Sequence, residues 1–95
     1  MSLEQTLAVL RKMQPTLRQL FGIERLGVFG SLARQEAGND SDIDIVVVMP
    51  PDLYAMVHLK EKLEKALNAP VDLVRYRAGM NALLKERIER DAVYV

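Results

Sequence analysis

Asp42 and Asp44 stand two residues apart at the head of the branched apolar run Ile45-Val46-Val47-Val48. Strand side chains alternate faces, so both carboxylates point one way while Ile43, Ile45 and Val47 point the other. Like charges about 4 Å apart at an effective dielectric of ~20 repel by roughly 4 kcal/mol, so a proton or a divalent cation must come between them. Magnesium suits such a place, because it takes oxygen ligands and is held by one or two acids together with substrate phosphates. A plainer reading of the same residues is a polar turn, Asn39-Asp40-Ser41-Asp42, with Asp44 at a solvated strand edge.

Ten residues separate Asp42 from an upstream Gly30-Ser31 pair. Leu26-Gly27-Val28-Phe29 reads as a short buried strand, and Leu32 to Ala37 are good helix formers. Strand, Gly-Ser, helix can bind an anion: glycine permits close backbone approach, serine adds a hydroxyl, and a helix start offers unpaired N–H groups. An ordinary turn with an N-cap would use the same residues. The chain has no Gly-x-x-x-x-Gly-Lys and no Gly-x-Gly-x-x-Gly, which closes the P-loop and Rossmann routes to phosphate.

A third acid lies in Pro70-Val71-Asp72-Leu73-Val74-Arg75-Tyr76, which reads as another strand, entered from a proline, with Asp72 sharing a face with Val74 and Tyr76. Beside the Asp44 strand it would complete a three-carboxylate cluster. Such a cluster can hold two metals for in-line phosphoryl transfer. Alone, Asp72 would merely open a strand.

Gly30-Ser31, the ten-residue gap, Asp42-x-Asp44 and Val71-Asp72-Leu73-Val74 resemble the minimal nucleotidyltransferase (MNT) group of the DNA polymerase β-like nucleotidyltransferase superfamily. The resemblance covers nearly the whole chain. It implies an α/β (α+β) fold, a small mixed β-sheet flanked by helices. It further implies that Asp42, Asp44 and Asp72 are catalytic and bind two Mg2+ ions, with Asp72 on the ion that activates the acceptor. Gly30 and Ser31 would hold the phosphates of ATP. Arg34 matches the arginine of Gly-Ser-x-Ala-Arg and is assigned to the nucleotide, while Gln35 stands where a glycine often follows.

Size and charge fit a stripped-down catalytic domain. The 95 residues make one domain, residues 1–95, with an expected radius of gyration near ~12 Å and no room for a separate substrate-binding domain. Apolar residues form 49% of the chain, enough for a core. No apolar run approaches the ~20 residues of a membrane span, so no membrane association is expected. Without an export signal or any cysteine, a cytoplasmic location is the default. Thirteen basic and thirteen acidic residues cancel, whereas a protein gripping a polynucleotide backbone usually carries a basic excess. Direct nucleic-acid binding is not expected. The acceptor is then a protein or a small molecule.

The remaining residues read as scaffold. Ser2-Leu3-Glu4-Gln5 has the form of a capping box, and Leu3, Leu7, Leu10, Met13, Leu17 and Leu20 keep a helical spacing as far as Gly22. Met13 is core filler on that periodicity. Pro15 interrupts the pattern and predicts a kink or two short helices. Pro50-Pro51-Asp52 opens a second helix whose buried stripe is Met56, Leu59, Leu63 and Leu67, with Lys60, Glu61, Lys62, Glu64 and Lys65 on a solvated face. His58 falls on that polar side without convergent partners. A last helix, about Met80 to Arg90, carries Leu83, Leu84, Arg87 and Ile88. Its tract Glu86, Arg87, Glu89, Arg90 and Asp91 is either a solvated face or half of an interface. The expected order is α-β-α-β-α-β-α with a short strand at Ala92 to Val95.

The resemblance implies transfer of AMP from ATP to a hydroxyl, with the chain acting as the antitoxin of a type VII toxin–antitoxin pair. Its partner would be a HEPN-type ribonuclease toxin encoded nearby, bound as a hetero-oligomer and modified on a tyrosine near the toxin's active site. A bulky anion added there would block RNA access. A second reading is a non-catalytic antitoxin that neutralises the toxin by occlusion, against which stands the retention of mutually repelling acids. A third is nucleotidyl transfer to a small molecule such as an aminoglycoside.

Overall fold

The computed structural model describes residues 1–36 and 42–95. The turn Asn39-Asp40-Ser41 and the end of the helix expected through Ala37 lie outside the described residues. The chain runs α1 (Leu3–Phe21), β1 (Arg25–Phe29), α2 (Gly30–Ala33), β2 (Ile43–Val48), α3 (Leu53–Leu67), β3 (Val71–Arg75), α4 (Ala82–Asp91) and β4 (Val93–Tyr94). This is the expected order, terminal strand included. The strands form one sheet in the order β3-β2-β1-β4, with β2 and β3 parallel and the other pairs antiparallel.

The capping box starts α1: the Ser2 hydroxyl accepts from the Gln5 N–H at 3.1 Å, and the Gln5 side chain accepts from the Ser2 N–H at 2.9 Å. Gly22 ends it with φ +67°, a left-handed cap. Of the two expected outcomes at Pro15, the split into two short helices does not occur: α1 runs unbroken from Leu3 to Phe21. Pro15 is exposed and so is Arg11, whose carbonyl loses its donor, so water can serve that oxygen while Leu10 and Leu17 pin the flanking turns in the core. A second correction concerns Leu20, which is 55% exposed. The half-buried Phe21 packs on the core from the last turn instead.

The alternation of β2 separates two apolar clusters. Ile43, Ile45 and Val47 face α1 and α3 in the larger one, with Leu10, Leu17, Leu59 and Leu63. Val46 faces the other way, joining Phe29 and Ile88 beneath α4. Leu59, Leu63 and Leu67 are buried as the helical stripe required, while Met56 is partly so. The Asp52 side chain caps α3 by accepting from the Ala55 N–H at 3.0 Å. Glu64, expected on the solvated face, instead accepts from the Val71 N–H at 2.9 Å and ties α3 to the start of β3.

The last helix begins later than its spacing suggested, at Ala82, because Asn81 caps it by accepting from the Leu84 N–H at 3.1 Å. Ile88 is fully buried and Leu83 is 71% exposed. Because α4 covers only part of its face of the sheet, a cleft remains beside the first residues of β2 and β3.

Candidate active site

Parallel pairing of β2 with β3 sets Asp44 directly opposite Asp72, and antiparallel pairing of β1 with β2 sets Phe29 opposite Asp44. Side chains at paired positions project from the same face. The expected juxtaposition of two acids from distant parts of the chain is therefore a consequence of sheet register. Asp42 lies just ahead of β2 and is exposed.

Gly30 follows Phe29 at the turn into α2, with φ +71°. A β-carbon there would lie 3.0 Å from the Asp44 Cγ and closer still to its Oδ2. The glycine was expected to make room for a phosphate. In the structure the group it makes room for is the Asp44 carboxyl.

The helix after it is one turn long, shorter than its composition suggested. It closes with two tightening bonds, Gln35 N–H to the Leu32 carbonyl at 2.9 Å and Glu36 N–H to the Ser31 carbonyl at 2.8 Å. This is the Schellman pattern, whose left-handed residue is usually glycine. That residue is Gln35, at φ +60°. Gln35, where a glycine often stands, thus falls on a position where glycine has a conformational advantage.

Gly30, Ser31, Arg34, Asp44 and Asp72 line one cleft of about 480 Å3, completed by Phe29, Leu84, Arg87 and Arg90. Of the residues singled out from the sequence, only Asp42 is absent from this lining. Burial pushes the Asp44 carboxyl above the usual range, followed by the charges of Asp72 and Asp42 and by hydrogen bonding with Asp72; the Arg34 charge opposes the rise. A carboxyl held in this way favours a shared proton or a cation. Among the described residues no three acids or histidines converge into a ready metal cage. A pair of carboxylates nevertheless fits magnesium that completes its shell with nucleotide phosphates and water.

Three arginines line the same cleft, Arg34, Arg87 and Arg90. The Arg34 Nη1 donates to Asp91 Oδ2 at 2.6 Å and its Nε to Glu36 at 3.1 Å. Asp91 also accepts from Arg90, at 2.9 Å from Nε and 3.1 Å from Nη2. The Asp91 side chain is 4% exposed. Hydrogen bonds from Arg90, and then from Arg34, bring its carboxyl down to about 2 against the opposing effect of burial. Sequence reading left Arg87, Arg90 and Asp91 in a mixed-sign tract of undecided use. Their helical spacing alone could not reveal which neighbours they meet.

Other candidates fall away from this cleft. His58 is exposed, with Glu61 at 4.0 Å as its acidic neighbour. A more apolar groove between α1 and α3, bordered by Lys12, Met13, Leu17, Lys62 and Lys65, lies across the sheet from the acids. No helix among the described residues is long and apolar enough to cross a membrane.

Residues 10–95 match the nucleotidyltransferase domain family. The chain is 37% identical over 97 residues to protein adenylyltransferase MntA of Thermococcus cleftensis, covering 100% of this chain and 97% of that protein. It is similar to a solved structure described as a candidate minimal nucleotidyltransferase, with a TM-score of 0.78 at 39% identity over 98% of this chain and 95% of that one. It also resembles a chain in the complex of tri-AMPylated Shewanella oneidensis HEPN toxin with MNT antitoxin, at 26% identity and a TM-score of 0.67, covering 94% of this chain and 70% of that one. Together with the Gly30-Ser31 turn abutting Asp44 and the register that faces Asp44 with Asp72, these similarities establish that the chain belongs to the nucleotidyltransferase domain family, as a minimal nucleotidyltransferase.

Proposed function

We propose that this nucleotidyltransferase moves AMP from ATP to a tyrosine hydroxyl of a HEPN ribonuclease toxin and so serves as the antitoxin of a toxin–antitoxin pair. The observation that carries the reading is the carboxylate pair Asp44 and Asp72, opposite one another in register at a cleft bordered by Gly30, Ser31 and Arg34. Similarity to protein adenylyltransferase MntA supports a protein acceptor, and similarity to the complex holding an AMPylated toxin supports the partner.

In this reading the acceptor hydroxyl releases its proton to water as its oxygen bonds to the α-phosphorus, the bond from that phosphorus to the bridging oxygen breaks, and pyrophosphate leaves. Asp44 and Asp72, joined by Asp42 from just ahead of β2, are the residues that would hold two Mg2+ ions. Bound there, the ions would polarise the acceptor oxygen and neutralise charge on the leaving group. Ser31 offers a hydroxyl to the phosphates, and Arg34 a guanidinium that offsets their charge. Gly30 keeps the Asp44 carboxyl close to the backbone of the turn.

The test is label transfer from α-labelled ATP with magnesium into a co-expressed or co-purified partner, with Asp44→Asn as control. Labelled partner with the wild type and none with Asp44→Asn is the expected result. An Asp42→Asn or Asp44→Asn variant that binds the toxin and still neutralises it would establish occlusion instead. Label recovered only in a small molecule would move the acceptor out of the protein class.

A further inference from the structure

We propose that Asp91 is a positioning residue for the nucleotide: it holds the Arg34 and Arg90 guanidinium groups at the cleft wall, where they meet the polyphosphate. The inference rests on the nucleotide reading above. Asp91 itself does not line the cleft, whereas Arg34 and Arg90 both do.

Two features of Asp91 call for an explanation beyond stability. It is the last residue of α4. There the partial negative charge of the helix end disfavours an acid and favours a base. Its side chain is also almost wholly withdrawn from solvent, at 4% exposed, while Arg90 is 62% and Arg34 37% exposed. An acid at the unfavourable end of a helix, buried beneath two exposed arginines, breaks a local rule of helix design. Such breaks concentrate at functional sites.

The contacts say what is gained. Arg34 comes from the end of α2 and Arg90 from the last turn of α4, so the carboxylate joins two segments far apart in the chain. Long cationic side chains otherwise sample many rotamers, and fixing them on one acceptor leaves their remaining N–H groups oriented in advance. Asp91 uses Arg34 Nη1 and Arg90 Nε and Nη2. Arg34 Nη2 and Arg90 Nη1 make no hydrogen bond among the described residues. Asp44 and Asp72 line the same cleft, which therefore holds carboxylates suited to cations together with guanidinium groups suited to phosphate oxygens.

The deciding experiment compares binding of ATP and of adenosine, each with magnesium, to wild type, Asp91→Asn, Arg90→Gln and the double variant by calorimetry. Asp91→Asn should weaken ATP by about tenfold and leave adenosine unchanged, since the effect is confined to the phosphates. Arg90→Gln, at an exposed side chain, should keep the fold and weaken ATP as well. In the double variant the losses should combine less than additively, because the pair acts as a unit. ATP affinity of Asp91→Asn or Arg90→Gln within twofold of wild type would overturn the inference, as would parallel loss of ATP and adenosine. Should Asp91→Asn fail to fold, Arg90→Gln alone decides by the same criterion. Wild-type protein that binds neither ligand would overturn the nucleotide reading itself, an outcome distinct from equal binding by wild type and variant.

Discussion

A methyl group on residue 30 would collide with the Asp44 carboxyl and would also sit on a left-handed backbone at φ +71°. Gly30→Ala is therefore expected to lower AMP transfer by about 100-fold, because small displacements of a positioned group have effects of this order. Single-turnover transfer measures this, with circular dichroism checking that the fold survives. Asp44 supplies a second prediction. Its carboxyl is raised by burial and by neighbouring acids. Its favourable contribution is present below the ordinary 3.8 and is lost as pH rises through the raised folded value. Above that raised value and without metal, the ionised side chain thus lowers stability, so Asp44→Asn should raise the thermal midpoint there. Magnesium with ATP should stabilise the wild type and stabilise Asp44→Asn much less, as thermal scans with and without the ligands will report.

Among the elements, α2 shows how a very short segment can be shaped by its exit. Its Schellman closure places Gln35 at φ +60°, where a β-carbon is disfavoured. Gln35→Gly should stabilise the protein by about 0.5–1 kcal/mol in urea unfolding, the relief of left-handed strain being partly cancelled by the greater freedom of glycine when unfolded. The sheet has its own close approach at Gly27, where a β-carbon would lie 2.8 Å from the Val93 carbonyl oxygen and 2.9 Å from the Tyr94 ring. That contact lets the two-residue β4 lie against β1, with Arg25 stacked on Tyr94 at 3.7 Å. Gly27→Ala should cost about 1–3 kcal/mol as an overpacked position, measurable by the same unfolding experiment.

Over the whole molecule, the radius of gyration is 12.3 Å. The sheet carries α1 and α3 on one face and α4 on the other, and the Arg34–Asp91–Arg90 linkage closes the second face by joining α2 to α4. This linkage has a pH signature. The folded Asp91 carboxyl lies at about 2 against an ordinary 3.8, so its contribution is present above 3.8 and is lost as pH falls through about 2. Thermal midpoints measured across that interval should fall with acid in the wild type. In Asp91→Asn this component should vanish, while the opposite contribution from Asp44 remains.

Periodicity and local chemistry determined most of the architecture. Alternation at Ile43 to Val47 put Asp44 on the face opposite Ile43, Ile45 and Val47, the capping box fixed the start of α1, and Asp44, Asp72 and the Gly-Ser turn marked residues that line one cleft. The helix cap and the strand alternation were legible because they depend on residues within a turn or two of each other, whereas the facing of Asp44 with Asp72 needed the sheet register. The continuity of α1 through Pro15 was not legible, since the proline's cost depended on which side of the helix met solvent. Neither was the position of Arg87, Arg90 and Asp91, because a mixed-sign helix does not state what it packs against. Only tertiary structure set α4 beside α2 and β1. That placement brought Arg87 and Arg90 to the cleft, and the register of β1 on β2 made Gly30 a neighbour of Asp44, because backbone register and helix packing choose partners that sequence spacing leaves open.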